Sequence, residues 1–276
     1  MQFSRYHGTE NSFLITTYEK KKDYQEIAKE LCRGTNYNTD GLLIVKSNPL
    51  EMVIYNRDGS EASMCGNGIR CFVHYCYDKF KINNFSKIKT KAGYYDCKIN
   101  SIKPFIVTVN LGLPTYINNI VKKSVIIKNN LYEISTLLLG VLHTIVIVNN
   151  YENLESIMQN IIEYNIFNSH SNFDFVRIIN HKTIEVKTFE KGVGWTQSCG
   201  TGVAASAYVM HESYNLSNNI NACTAGGVIN IKISDNIYLT ASSEHIDDLE
   251  VMIWECFLLG TEKWLRKLAN TQTLLV

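Results

Sequence analysis

The chain has 276 residues, of which 45% are hydrophobic and 19% are charged, and its formal net charge is +1. This composition allows one large domain or two domains of average size with a sizeable core, and it excludes a disordered chain. The near-zero charge, with no block of basic residues, gives no electrostatic support for a nucleic-acid or anionic-membrane partner.

The N-terminus lacks the apolar segment of a signal peptide, and the longest apolar run, 137–148, is too short to cross a membrane. We therefore expect a cytoplasmic protein with no membrane partner. In that compartment the eight cysteines are not expected to form structural disulfides. The sequence has no Cys-x-x-Cys or His-x-x-x-His spacing, so it gives little support for a metal site.

Short runs rich in β-branched and aromatic residues predict strands along the whole chain. In chain order these runs are 13–17, 41–45, 52–55, 105–109, 144–148, 183–188 and 228–233. Apolar spacing predicts four helices, over 24–31, 68–77, 151–162 and 202–214. Isolated helices among many strands, without a steady strand-helix alternation, indicate the α+β class.

A stretch rich in Asn and Lys, 113–130, is the best candidate for a boundary between two halves. We expect an N-terminal domain over 1–117, joined by the C-terminal segment 259–276, and a C-terminal domain over 118–258. The tail 257–276 has spaced apolar residues that would pack on the first domain or on the partner subunit of a homodimer.

The motif Cys-Gly-x-Gly occurs twice, at 65–68 and at 199–202, each time at the start of a predicted helix. Asn56 lies nine residues before Cys65, and Glu190 lies nine residues before Cys199. A strand-like run precedes both of these residues. The matched surroundings favour two copies of one unit, composed of a strand, a loop, a thiol, glycines and a helix.

A thiol at a helix N-terminus has a defined chemistry. Unpaired backbone N–H groups and the helix dipole attract an anion there, and they also lower the pKa of a nearby thiol. Two such units that face each other could hold the carboxylate of an α-amino acid, with one sulfur on each side of the α-carbon. One thiolate would then remove the α-proton and the other thiol would return a proton to the opposite face, without a cofactor.

Three other interpretations of these motifs stay open. Residues 200–205 fit the dinucleotide pattern G-x-G-x-x-A of a nicotinamide-dependent oxidoreductase, but no acidic residue lies about 20 positions further on. A redox pair normally uses more closely spaced cysteines. A non-catalytic protein that binds an anion would also explain the glycines.

Further motifs run along nearly the whole chain, and together they resemble the diaminopimelate epimerase family and its cofactor-independent racemase relatives. They are His-Gly-Thr-Glu-Asn at 7–11, Asn-Arg-Asp-Gly at 56–59, Cys-Gly-Asn-Gly-Ile-Arg-Cys at 65–71, Glu-Lys-Gly at 190–192 and Ser-Cys-Gly-Thr-Gly at 198–202. The resemblance implies two similar domains, each a mainly antiparallel β-sheet around a central helix. It also implies a PLP-independent isomerase with no cofactor.

The resemblance assigns roles to residues of this chain. Cys65 and Cys199 would be the two bases, with Glu190 and His143 assisting catalysis. The remaining residues would bind a small amino-acid substrate, and they are Asn11, Asn56, Gly66, Asn67, Asn172, Lys191, Gly200 and Thr201.

Departures from the family pattern concern the far end of the substrate. Lys191 stands where the family has Arg, Val141 where it has Asn, Trp195 where it has Glu, and Gly41 where it has Gln. Lys cannot reproduce the bidentate grip of Arg on a carboxylate. We therefore expect a distal pocket more apolar and aromatic than that for diaminopimelate, and a racemase of an amino acid with one stereocentre. Histidine is the first choice, because Trp195 with Asn56 and Asn172 could hold an imidazole by stacking and hydrogen bonds. The alternative is a diaminopimelate or lanthionine epimerase.

Overall fold

Two copies of one strand-and-helix unit make up most of the molecule. The computed structural model describes residues 1–33, 37–127, 129–163 and 171–251, and these contain 19 strands and four helices. The elements of the first half are β1 (Gln2–Gly8), β2 (Asn11–Thr17), α1 (Tyr24–Arg33), β3 (Gly41–Ser47), β4 (Leu50–Asn56), β5 (Glu61–Ala62), α2 (Gly66–Phe80), β6 (Phe85–Thr90), β7 (Gly93–Ile102) and β8 (Phe105–Asn110).

The second half contains more strands and ends with one that returns to the first half. Its elements are β9 (Thr115–Tyr116), β10 (Lys123–Ile127), β11 (Asn130–Leu139), β12 (Val141–Ile147), α3 (Leu154–Glu163), β13 (Asn172–Asn180), β14 (Thr183–Glu190), β15 (Gly194–Thr196), α4 (Gly200–Tyr214), β16 (Asn219–Thr224), β17 (Gly227–Ile233), β18 (Ile237–Ser242) and β19 (Glu244–Glu250).

The strand pairing has the same order in both halves. In the first half, β1 and β2 form a hairpin, β2 pairs in parallel with β3, and β3 pairs antiparallel with β4. Strand β4 then pairs in parallel with β6, β6 pairs antiparallel with β7, and β7 pairs antiparallel with β8. Strands β11 to β18 repeat this order, with α3 and α4 in the places of α1 and α2. Strand β8 pairs with β18 and joins the halves into one sheet. The expected α+β class, mainly antiparallel, is confirmed.

Helices α2 and α4 are the central elements of the two halves. Helix α2 packs against β1, β2 and β8, whereas α4 packs against β12, β13, β17 and β18. Both are apolar around most of their circumference, as expected for helices enclosed by sheet. Burial of a large side chain such as Phe72 contributes about 1.5–3 kcal/mol. Both helices end at a residue in the left-handed conformation, Lys81 and Asn215.

Strands near both expected domain boundaries pair with strands of one half or the other, and these pairings can be compared with the expected boundaries. Strands β9 and β10 lie in the stretch 113–130 and both pair with β11, so this stretch contributes sheet to the second half. At the other end, β19 pairs with β1 and covers the edge that β1 would otherwise expose. A C-terminal unit over 118–258 would therefore include a strand bonded to the first half. The segment 259–276 and the apolar tail lie outside the described residues.

None of the helices in the described part of the chain has the length and apolar character needed to span a bilayer.

Candidate active site

The N-termini of α2 and α4 meet at the centre of the molecule. A Cβ atom added to Gly66 would lie 3.3 Å from Cα of Gly200, and one added to Gly200 would lie 3.2 Å from Cα of Gly66. Because a side chain at either position would push the helices apart, the glycine after each cysteine permits this approach. The meeting places Cys65 and Cys199, the N-cap residues of the two helices, beside the same cavity.

Cys65 is partly exposed and lies under the first turn of α2. Its Sγ accepts a hydrogen bond from the backbone N–H of Gly68 at 3.2 Å, and Oδ1 of Asn11 lies 3.9 Å away. Burial raises the pKa of the Cys65 thiol to about 11, while the backbone N–H groups of Gly68 and Asn67 act in the opposite direction. The N–H groups at the helix terminus therefore stabilise the thiolate of Cys65, whereas its removal from water destabilises the thiolate.

Cys199 is buried and is connected to a chain of polar side chains. Its Sγ lies 3.7 Å from Oγ1 of Thr201, which is 3.1 Å from Nε2 of His143. Nδ1 of His143 is bonded to Oδ2 of Asp174 at 2.7 Å, and Thr188 donates to the other oxygen of Asp174 at 2.7 Å. Burial, and then the negative charges of Glu190 and Asp174, raise the pKa of the Cys199 thiol well above its usual range.

Glu190 lies at the end of β14 and lines the same cavity as the two thiols. Its Oε1 accepts a hydrogen bond from Oγ1 of Thr196 at 2.8 Å. Burial is the main cause that raises the pKa of this carboxyl, and the Thr196 and Cys199 hydrogen bonds oppose it. A carboxyl with a raised pKa beside a thiol can accept or return a proton near neutral pH.

The candidate site residues surround one cavity of about 280 Å³. Every candidate residue from the sequence lines it except His143, which has no exposed surface and lies behind Thr201. The lining candidates are Asn11, Asn56, Cys65, Gly66, Asn67, Asn172, Glu190, Lys191, Cys199, Gly200 and Thr201. Both helices begin at this cavity, and a helix N-terminus leaves first-turn N–H groups unpaired that can bind an anion. The arrangement can hold a carboxylate with one sulfur on each side.

Asn67 has a second function that its sequence position did not indicate. Its Nδ2 donates to the backbone oxygen of Ser198 at 2.8 Å, across the contact between the halves. Its Oδ1 accepts from Arg70 at 3.1 Å. The side chain thereby fixes the relative position of the two helix termini, while its backbone N–H stays with the first turn of α2.

The far end of the cavity is more polar than expected. Asn172 accepts a hydrogen bond from the backbone N–H of Lys191 at 3.0 Å, and Asn56 donates to Ser60 at 3.0 Å. Asp40 also lines the cavity and was not predicted. Val141 and Leu142 supply the apolar wall that the departures from the family pattern led us to expect.

Trp195 does not line the cavity that contains both cysteines, although it lines a second cavity of about 230 Å³ together with Cys199. Its ring packs against Phe175 and Phe189, and its Nε1 donates to Glu155 at 3.2 Å. It borders an adjoining cavity of about 360 Å³. In strand β15 the neighbouring Thr196 bonds to Glu190, so alternation along the strand directs Trp195 to the other face.

Besides Asp40, the sequence analysis missed two buried charged residues beside the site, Asp174 and Arg70. Both have no exposed surface. Asp174 stands between Phe173 and Phe175 in a strand that is otherwise apolar at this point, and Arg70 stands inside an apolar helix. A charge within a buried run is the signal that could have identified them, because such charges are nearly always paired or functional.

Comparison of the repeat shows that only one half contains this polar network. By strand register, His143, Asp174 and Thr188 correspond to Phe13, Leu43 and Ile54 of the first half. These three first-half side chains are apolar and buried. The two thiols therefore have the same backbone frame and different chemical surroundings.

Among the described residues, no group of three or more His, Cys, Asp or Glu side chains could hold a metal ion.

Comparison with known proteins identifies the family. The sequence profile described as "Diaminopimelate epimerase" matches residues 3–117 and 136–245. The chain belongs to the diaminopimelate epimerase family. It is similar to the diaminopimelate epimerase of Alkaliphilus metalliredigens, with 31% identity over 89% of this chain and 95% of the relative. It is also similar to that of Caldanaerobacter subterraneus, with 33% identity over 92% and 100%.

Solved structures show the same fold at low sequence identity. A probable proline racemase from Agrobacterium radiobacter K84 aligns with a TM-score of 0.71 and 10% identity, over 93% of this chain and 94% of that one. A hydroxyproline epimerase from Agrobacterium vitis aligns with a TM-score of 0.69 and 12% identity, over 91% and 90%. Membership of the family makes the protein a cofactor-independent racemase or epimerase, that is, a PLP-independent isomerase.

Proposed function

We propose that this member of the diaminopimelate epimerase family is itself a diaminopimelate epimerase that uses Cys65 and Cys199 as its two bases. The observation that carries the proposal is the contact between two helix N-termini, each with a cysteine as its N-cap, at one cavity. The site holds a sulfur at each helix end and leaves the first-turn N–H groups for a carboxylate.

The reaction follows from this geometry. The substrate carboxylate accepts hydrogen bonds from the backbone N–H groups of Gly66, Asn67, Gly200 and Thr201. One thiolate removes the α-proton, and the electron pair left on the α-carbon spreads into the carboxylate, where the same N–H groups stabilise it more than in the ground state. The opposite thiol then delivers its proton to the other face, which inverts the centre.

The polar neighbours of Cys199 control its proton. Glu190 is hydrogen-bonded to the thiol of Cys199 and can exchange a proton with it, and its carboxyl has a pKa raised mainly by burial. His143 acts through the hydroxyl of Thr201, and Asp174 holds the imidazole in position. Asn11 lies beside Cys65 and suits the amino group of the substrate.

The far end of the cavity favours diaminopimelate over histidine. The choice of histidine depended on Trp195 as a stacking partner, and this ring packs instead against Phe175 and Phe189. Asp40 and Lys191 line the cavity and offer one charge of each sign to a second ammonium and carboxylate group. The similar proteins at about 30% identity are named diaminopimelate epimerases, which agrees with this assignment.

The test is exchange of the α-hydrogen in D2O, followed by mass spectrometry and chiral chromatography. LL-diaminopimelate should gain deuterium and yield the meso isomer, whereas L-histidine should not exchange. Exchange of the α-hydrogen of histidine alone would contradict diaminopimelate as the substrate. Exchange with neither amino acid would contradict the two-base racemase mechanism proposed for them.

Variants test the two bases. Cys65→Ser and Cys199→Ser should each lose at least about a hundredfold in kcat/KM, because each removes an acid–base group. Cys223→Ser is the matched control, since Cys223 lies on β16 away from the cavity and is also partly exposed. Wild-type rates in either of the first two variants would be incompatible with the two-base mechanism.

A further inference from the structure

Arg70 lies in the second turn of α2 and has no exposed surface. Its guanidinium donates four hydrogen bonds, all to neutral oxygens. The acceptors are the backbone oxygens of Gly66 at 3.1 Å and Ser242 at 3.2 Å, and Oδ1 of Asn67 and Oγ1 of Thr9 at 3.1 Å each. They belong to the first turn of α2, to the end of β18 and to the turn between β1 and β2. One rigid, planar group therefore joins three segments of the chain.

The fold alone does not require a cation at this place. Arg70 lies five positions after Cys65, and the residue five positions after Cys199 in the repeat is the buried Ala204. Helix α4 is thus enclosed by sheet with no charge at the corresponding position. Burial of a guanidinium is costly, and hydrogen bonds to neutral oxygens offset that cost only in part. Arg70 therefore serves contacts that the repeat does not duplicate.

The first of these contacts is the bond from Arg70 to the amide of Asn67. Nδ2 of this amide donates to the backbone oxygen of Ser198 at 2.8 Å, and Ser198 directly precedes Cys199. An amide can turn over and exchange its oxygen with its nitrogen, but arginine has only donors. The bond from Arg70 to Oδ1 would be lost if the amide turned over. Arg70 therefore holds the orientation in which Nδ2 faces Ser198.

The second contact is the bond from Arg70 to Thr9 in the turn between β1 and β2. Thr9 and Glu10 both have left-handed backbone, with φ of 52° and 60°, which a β-branched residue such as Thr rarely adopts. The backbone of Thr9 lies against Gly226, because a Cβ atom added to Gly226 would overlap the carbonyl oxygen of Thr9. The N–H of Gly226 donates to the backbone oxygen of Gln197 at 2.8 Å. This second route also ends at the segment that carries Cys199.

We propose that Arg70 is a positioning residue that holds the segment 197–199 against the N-terminus of α2, acting through Asn67 and Thr9. The inference rests on the proposed function, since it explains how the two thiols of that reaction are kept at one α-carbon. Removal and return of the α-proton need both sulfurs in place at the same time. A displacement of about 1 Å at a reacting group can cost about a hundredfold in rate.

The experiment measures how readily the two thiols are joined in the reduced, folded, substrate-free protein. The probe is dibromobimane, which becomes fluorescent when both of its arms have alkylated thiols, and mass spectrometry of peptides identifies the two cysteines. The measured quantity is the ratio of the link between Cys65 and Cys199 to singly alkylated Cys65. Arg70→Met should lower this ratio at least about tenfold, because the effective concentration of one thiol for the other depends on their alignment.

Two further variants separate positioning from charge and from stability. Arg70→Lys keeps the positive charge, but one ammonium group cannot bond to Asn67, Thr9 and Ser242 together, so its ratio should stay close to that of Arg70→Met. Val73→Ala is the control for stability, because Val73 is a buried residue of the same helix and its truncation leaves every bond of Arg70 in place. Its ratio should stay close to that of the wild type.

A milder pair of variants serves if Arg70→Met does not fold. Thr9→Val keeps the shape of the side chain but removes the acceptor for Arg70, so it should lower the ratio, whereas Thr9→Ser keeps the hydroxyl and should not. The proposal is overturned if the wild type forms no link between Cys65 and Cys199, or if folded Arg70→Met or Thr9→Val keeps the wild-type ratio. It is also overturned if Arg70→Lys restores the ratio or if Val73→Ala lowers it equally. Because no substrate is present, the result does not depend on whether diaminopimelate is turned over.

Discussion

Replacement of Gly202 by alanine tests the packing of α4 against the polar network. The added methyl group would overlap Oδ1 of Asp174 and would lie 2.9 Å from its Cγ. Asp174 has no exposed surface, and its two oxygens are bonded to His143 and Thr188 at 2.7 Å each. The carboxylate cannot turn away from the methyl group without the loss of at least one of these hydrogen bonds.

Three contributions set the expected change in the free energy of unfolding for Gly202→Ala. Overpacking of a full core costs about 1–3 kcal/mol, and a weakened hydrogen bond to a charged group costs about 1.5–3 kcal/mol. The higher helix propensity of Ala than of Gly stabilises the variant by up to about 1 kcal/mol and offsets part of this cost. We expect Gly202→Ala to lower the free energy of unfolding by about 2–4 kcal/mol, a large share of the roughly 5–15 kcal/mol typical of a protein domain.

The matched control is Gly68→Ala at the corresponding position of α2. There the new Cβ would meet Cβ of Cys65 at 3.2 Å, Sγ of Cys65 at 3.4 Å and Cδ2 of Leu43 at 3.5 Å, so small shifts of side-chain atoms suffice. We expect a change of less than about 1 kcal/mol. Urea unfolding followed by far-UV circular dichroism gives both values.

A double-mutant cycle identifies the cause. In an Asp174→Ala background the carboxylate is gone, so addition of Gly202→Ala should cost less than about 0.5 kcal/mol or should stabilise. The reasoning is refuted if Gly202→Ala costs no more than Gly68→Ala, or if its cost is the same in both backgrounds.

Two further predictions concern Glu190 and Trp195. Burial raises the pKa of Glu190 in the folded state, so its ionisation opposes folding as pH rises above the usual carboxyl range. Glu190→Gln should therefore unfold at a higher urea concentration than the wild type at pH 7, and this difference in stability should disappear below about pH 4. The variant should also have reduced turnover. A difference in stability that grows on acidification would contradict the reasoning. Trp195→Ala removes the packing on Phe175 and Phe189, so it should lower the urea midpoint but change kcat/KM for diaminopimelate by less than about threefold; a larger loss would place the adjoining cavity in the substrate site.

Local patterns in the sequence predict much of the fold. The run 183–188, which alternates polar and apolar residues over 183–187, lies in β14, and the run 105–109 forms most of β8. The helices predicted over 68–77 and 202–214 are present as α2 and α4, each beginning two residues earlier because the first glycine after the cysteine is already helical. These elements are predictable because their spacing is a local property.

The contacts between distant residues could not be predicted in the same way. The bond between His143 and Asp174 joins residues 31 positions apart, and only the parallel register of β12 with β13 brings them together. The face of Trp195 depends on where β15 begins, since a shift of one residue exchanges the two faces of a strand. Register and strand start are set by the whole sheet.

The repeat explains why the two thiols are alike in position, and their surroundings explain why they are unlike in acidity. A duplicated unit supplies two helix N-termini that meet at one point, which is what proton transfer between opposite faces of one carbon requires. The surroundings are not duplicated: His143, Asp174 and Thr188 form a polar network in the second half, and the apolar Phe13, Leu43 and Ile54 take the matching places in the first. Glu190 and Asp174 disfavour the Cys199 thiolate, whereas the thiol of Cys65 accepts a hydrogen bond from the backbone N–H of Gly68. The unequal surroundings, and not the repeat, can therefore give the two thiols different roles as acid and base.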